Sequence, residues 1–149
     1  HLDPNHPNLL QPGKRVRHTM NPVMVFKDKD LFLVCGTPGA DTQVQTNLQV
    51  ITHVIDFGLT VSEAVEAPRW RHLQSPTEST VPHVCEDALN LEGRFPSATA
   101  EGLRRRGHPV KMLGDWAGVG SEMMIQVDSA SGALLGAADP RRDGYAVGW

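Results

Sequence analysis

The sequence predicts a layered fold, an α/β or α+β sandwich, on three observations. Two apolar runs, residues 23–26 and 31–35, flank the polar stretch 27–30 and read as a β-hairpin. A helix with an apolar stripe follows closely, placed to pack on that hairpin. The composition is globular: 40% of the 149 residues are hydrophobic and 21% are charged. The 14 glycines and 11 prolines promise many turns, yet they stay below the roughly 25–30% that marks low complexity.

The elements follow in order. Residues 1–22 hold Pro4, Pro7, Pro12 and Pro22, so they read as an extended, irregular lead-in separate from the body at 23–149. Neither hairpin run alternates cleanly between apolar and polar, which predicts a sheet covered on both faces. Gly36-Thr37-Pro38-Gly39-Ala40-Asp41 is a sharp turn, and Thr42 with Gln45 fits a capping box. Val44, Leu48, Ile51 and Ile55 form one helical stripe, and Gly58 stops the helix. Thr60 with Glu63 is a second capping box, and Pro68 ends a shorter helix. Residues 70–95 read as mixed, with a short strand at 81–85. A helix over 97–106 takes Ser97 as its cap and Gly107 as its stop. Strands are predicted at 110–113, 123–127 and 133–136, the last two joined by a turn at 128–132. No internal repeat and no second domain is visible.

Charge and special residues exclude several functions. The net charge is −3, a poor match for a phosphate backbone, which selects for Lys and Arg. Arg104-Arg105-Arg106 reads as a solvated helix face. No apolar run is long enough for a membrane helix. The opening residues His1-Leu2-Asp3-Pro4-Asn5 lack the basic start and apolar core of a secretory signal. Cys35 and Cys85 have no zinc-type spacing. Cys35 ends an apolar run and reads as a packed thiol, while a Cys35–Cys85 disulfide stays open. The seven histidines form no metal-binding pattern, so neither a metal nor a cofactor is expected. His53 reads as a satisfied or exposed helix residue and Asp56 as a helix-end contact.

The strongest local signal for chemistry is the glycine turn before the first long helix. It places free backbone N–H groups at a helix N-terminus, suited to an anion or a developing oxyanion. A plain strand-to-helix turn explains the same pattern. No GxxxxGK[ST] and no phosphate-reaching lysine accompany it, and no GxSxG nucleophile elbow occurs.

Several spaced motifs occur in order: Gly13-Lys14-Arg15, His18-Thr19-Met20-Asn21-Pro22, Gly36-Thr37-Pro38-Gly39-Ala40, Asp56-Phe57-Gly58, Glu63-Ala64-Val65-Glu66-Ala67-Pro68-Arg69 and Gly136-Ala137-Ala138-Asp139-Pro140-Arg141. Together, from about Gly13 to the end, the chain resembles the C-terminal part of the small subunit of γ-glutamyltransferases and their acylase-like relatives. The resemblance implies an α+β fold of the N-terminal-nucleophile hydrolase type, part of an αββα sandwich. It implies a precursor that cuts itself into two subunits. A threonine freed at the new N-terminus then attacks a γ-glutamyl or related acyl amide, its own amine serving as base. The family's oxyanion hole uses two adjacent backbone amides, which fall here on Gly39 and Ala40. Two serines that hold the substrate's carboxylate fall on His18 and Thr19, and the histidine puts γ-glutamyl preference in question. Partners implied are the large subunit and the upstream part of the same precursor. A periplasmic or secreted location is usual for such enzymes.

The family's nucleophile lies upstream of the positions matched by His18 and Thr19, and Thr19, the first threonine here, is internal. The expectation is therefore a C-terminal piece, inactive alone, whose proline-rich lead-in drapes over the missing part. An inactive paralogue or interaction module is the alternative. Nucleotide binding through the glycine turn is a weaker third reading.

Overall fold

The computed structural model describes residues 2–15, 18–74 and 86–149. The predicted strand at 81–85 and Cys85, the second half of the disulfide left open, lie outside these residues. Residues 2–15 and 18–22 contain turns but neither helix nor strand.

The hairpin forms as expected. Strand β1 (Val23–Lys27) pairs antiparallel with β2 (Asp30–Gly36). The turn is tighter than its four polar residues suggested, because Lys27 pairs with Asp30 and Asp28 adopts φ +59°. Helices α1 (Thr42–Ile55) and α2 (Val61–Glu66) follow. Strand β3 (Trp70–Leu73) then pairs antiparallel with β4 (Ala88–Leu91). Helix α3 (Ser97–Arg105) crosses over to β5 (Val110–Met112), which lies parallel to β4. Strands β6 (Met123–Val127) and β7 (Leu134–Ala138) return to the first sheet. That sheet has the order β1-β2-β6-β7 and the second has β3-β4-β5. Strands β3 and β4 were not anticipated: four-residue strands leave too little periodicity to read.

Two cores result. Leu33, Cys35, Met124 and Ala137 from the first sheet meet Val50, Val54, Val61, Ala64 and Val65 from α1 and α2. Leu89, Leu91 and Ala100 form a smaller cluster under α3. The helices cover only one face of the first sheet. Its other face presents Met24, Phe26, Met123, Ile125 and Leu134, all exposed. The tail reaches this face near Gly136, where an added Cβ would stand 3.1 Å from the Ala146 methyl.

Helix α1 departs from its predicted orientation. Val44, Leu48 and Ile55 are exposed, while Gln43, Thr46, Asn47 and Gln49 are buried beside Val50 and Val54. The cause is the edge of β3. Gln45 accepts from the His72 amide (2.8 Å) and donates to its carbonyl (2.9 Å). One turn on, Gln49 does the same for Trp70, at 3.0 Å each way. The open edge of β3 leaves backbone donors and acceptors that the sheet does not pair, and these amides supply them, so the polar face turns toward that edge.

Capping is mixed. The α2 box is complete: Glu63 N–H donates to Thr60 Oγ1 (3.2 Å) and Thr60 N–H to Glu63 Oε2 (2.8 Å). The proposed α1 box does not form. Asp41 occupies the N-cap without a side-chain capping bond to the helix, and Gln45 is engaged by His72. Ser97 is likewise the first helical residue of α3, with Pro96 at the cap. The Pro96 carbonyl accepts from the Thr99 amide at 2.9 Å. Gly58 (φ +68°) and Gly107 (φ +90°) end α1 and α3 in the left-handed region.

Candidate active site

The loop between β2 and α1 is pinned from below. The buried Thr37 hydroxyl accepts from the Ser121 amide (2.8 Å) and donates to the Pro38 carbonyl (2.9 Å). Gly120 makes this approach possible, because a Cβ there would lie 2.7 Å from Thr37 Oγ1. The backbone then turns through Gly39 at φ +144° and Ala40 at φ +47°. Their carbonyls are drawn into the helix start, accepting from Thr42 N–H (2.9 Å) and Gln43 N–H (3.2 Å). The Gly39 and Ala40 amides have no acceptor among the described residues. Two successive donors thus stand free at the positive end of a 14-residue helix.

His18 and Thr19 are exposed, and α1 holds their segment by the backbone. Gln43 Nε2 donates to the Thr19 carbonyl and Asn47 Nδ2 to the Asn21 carbonyl, both at 3.0 Å. Gln43 therefore joins the two sequence-predicted groups, its amide bonded to Ala40 and its side chain to Thr19. Sequence reading missed Gln43, since a buried glutamine one turn into a helix carries no local signal.

Beyond the loop lies an ion cluster that was also missed. Asp139 pairs with Arg69 and accepts from Arg141 Nη1 (3.0 Å). Arg141 grips Glu92 with two bonds of 2.6 Å and donates to the Val65 and Ala67 carbonyls. Arg94 also meets Glu92 (2.8 Å) and lies 3.5 Å over the Trp116 ring. Burial pushes the Glu92 and Asp139 carboxyls up, but these cations and adjacent amides outweigh it, and both titrate below the ordinary range. Glu122 differs. Fully buried beside Cys35 and the Gly36 backbone, it is raised by burial to about 7 against the pull of Arg69 and those neighbouring donors. Burial likewise lifts the Cys35 thiol to about 12, with Glu122 adding to the rise. Cys35 is a free thiol but packs as an apolar residue, as its run suggested, and offers no thiolate.

The loop can hold a negative oxygen, and no group of three or more metal-ligating side chains occurs among the described residues. The sequence pattern of the family described as gamma-glutamyltranspeptidase matches residues 1–149. The chain belongs to the gamma-glutamyltranspeptidase family. It is 39% identical to the "glutathione hydrolase-like YwrD proenzyme" of Bacillus subtilis (strain 168), over 99% of this chain and 27% of that protein. The chain thus spans about a quarter of the length of the curated relatives it matches. Among solved structures it superimposes on cephalosporin acylase from Bacillus halodurans with a TM-score of 0.79 at 35% identity, covering 99% of this chain and 26% of that one. A gamma-glutamyltranspeptidase mutant of Helicobacter pylori gives 0.72 at 30% identity, covering 91% and 67%. The fold is part of the N-terminal-nucleophile hydrolase fold seen in these family members.

Proposed function

We propose that this chain supplies the oxyanion hole and part of the acyl pocket of a gamma-glutamyltransferase-like amide hydrolase or acyltransferase. The observation that carries the reading is the pair of free amides at Gly39 and Ala40, anchored by Thr37 at the start of α1. In this reading a threonine upstream of the chain attacks the amide carbonyl of a small acyl donor. Its α-amine takes the hydroxyl proton. The carbonyl oxygen becomes negative and is held by the Gly39 and Ala40 N–H groups. Collapse breaks the C–N bond, the proton passes to the leaving amine, and water or another amine accepts the acyl group. Thr19 and His18 face the acyl end of the substrate, with His18 widening the choice beyond γ-glutamyl. The lead-in at 1–22 and the exposed apolar face of the first sheet lie against the remaining parts of the precursor, including its large subunit.

The test uses γ-glutamyl-p-nitroanilide and related acyl anilides. The 149 residues alone release no p-nitroaniline, whereas the complete protein does. Gly39→Val in the complete protein lowers kcat by the equivalent of about 2.7–4 kcal/mol, as for loss of one oxyanion donor, while processing persists. Release by the isolated chain, or wild-type turnover of the variant, would sink the proposal. The histidine at position 18 favours a second reading, a fold-retaining paralogue without activity. A complete protein with no threonine at a processing junction would select it.

A further inference from the structure

Among the described residues, three buried side-chain atoms without a hydrogen-bond partner are Thr42 Oγ1, Arg69 Nε and Asn90 Oδ1. These three residues line one small cavity, of about 20 Å³, whose walls also include Trp70, Arg71, Leu113 and Val119. Thr42 and Arg69 are 2% and 3% exposed, so bulk solvent does not satisfy them. An orphaned polar atom in such a place has lost its hydration with nothing to replace it. Three orphans around one cavity are therefore an arrangement that calls for a ligand.

We propose that this cavity is a built site for a single ordered water molecule, which ties the first residue of α1 to the start of β3 and to β4. The size limits the choice, since a cavity needs roughly 10–15 Å³ to hold one water. The donor set fits water in both directions. Arg69 Nε donates to the water oxygen, and the water donates to Asn90 Oδ1 and Thr42 Oγ1, giving about the three bonds usual for a buried water. Charge limits the choice further. Arg69 and Arg71 both line the cavity and repel a cation, while its small volume leaves no room for a polyatomic anion and Asp139, paired to the Arg69 guanidinium, offsets the positive charge.

The placement gives the water a positioning role. The Thr42 amide holds the Gly39 carbonyl at 2.9 Å, so restraining Thr42 restrains the turn that carries the two free amides. Through Arg69 the restraint reaches Asp139 and the ion cluster. Thr42 is then a positioning residue, and this effect on rate rests on the oxyanion reading above.

Crystals of the complete protein diffracting to high resolution decide the matter. The expected result is a density peak within hydrogen-bond distance of Thr42 Oγ1, Arg69 Nε and Asn90 Oδ1. It persists in Thr42→Ser and is lost in Thr42→Val, which keeps the shape without the hydroxyl. Thr42→Val also lowers kcat by about tenfold with KM little changed, as misplaced catalytic groups do, and Thr42→Ser restores it. An empty cavity in the wild-type protein, or these three atoms bonded to other protein groups, would overturn the site without touching the oxyanion proposal. A peak lost in Thr42→Val with full turnover would keep the water and remove its link to the loop.

Discussion

Ala40 carries a side chain at φ +47°, where an L-residue loses roughly 1–2 kcal/mol relative to right-handed backbone. Glycine at that position has no such penalty but gives up more chain entropy on folding. Ala40→Gly is therefore expected to raise stability by up to about 1 kcal/mol and to leave turnover of the complete protein intact. Ala40→Val places a β-branched residue in the left-handed region and is expected to distort the turn and suppress turnover. Thermal unfolding and initial rates of the two variants check this, and equal stability of all three forms would refute it. At this scale the sequence made Gly39 and Ala40 visible through a glycine turn before a helix. It did not reveal Gln43, whose contacts to Ala40 and to Thr19 exist only because two distant segments meet.

Two helices begin with the same signature, a threonine followed three residues later by Gln or Glu, and only one forms the box. Thr60 precedes α2 in extended backbone, φ −64° and ψ 160°, so its hydroxyl faces the helix amides. Thr42 is already inside α1, where the turn at Gly39 and Ala40 supplies carbonyls to the first two amides. Thr60→Ala is expected to cost about 1 kcal/mol, the usual value of a lost N-cap, read as a lowered midpoint in urea. A midpoint equal to wild type would contradict the capping geometry. The stripe on α1 teaches a related lesson. Apolar spacing identified the helix, but Gln45 and Gln49 had to meet the open edge of β3, and that requirement set which face turned inward. The stripe and the outer face of the first sheet stay exposed.

Across the whole molecule, buried ionisable groups shape the response to pH. Glu92 and Asp139 titrate low in the folded protein, so their contribution is present above their unfolded pKa values and is lost as acid protonates them. Glu122 acts in the opposite sense. Its folded pKa rises from 4.5 to about 7, so its contribution is complete below about 4.5 and fades as pH climbs through 7. Stability is expected to peak near pH 5. Glu122→Gln should remove the decline on the alkaline side, raising stability at pH 8 by up to about 3 kcal/mol at 1.36 kcal/mol per pKa unit. Unfolding at pH 5 and pH 8 for both forms measures it, and parallel losses would exclude Glu122 as the cause. Taken alone, the sequence determined the hairpin, the helices, most strands, the glycine turn and the family resemblance, because each depends on contiguous residues or on motifs read in order. Tertiary structure alone decided which face of α1 is buried, that Gln43 joins Thr19 to the glycine turn, and that Arg69, Glu92, Glu122, Asp139 and Arg141 gather in the interior. The physical reason is desolvation. A polar side chain is neutral in its meaning until the fold removes its water, and then its partners, tens of residues away in the chain, decide what it does.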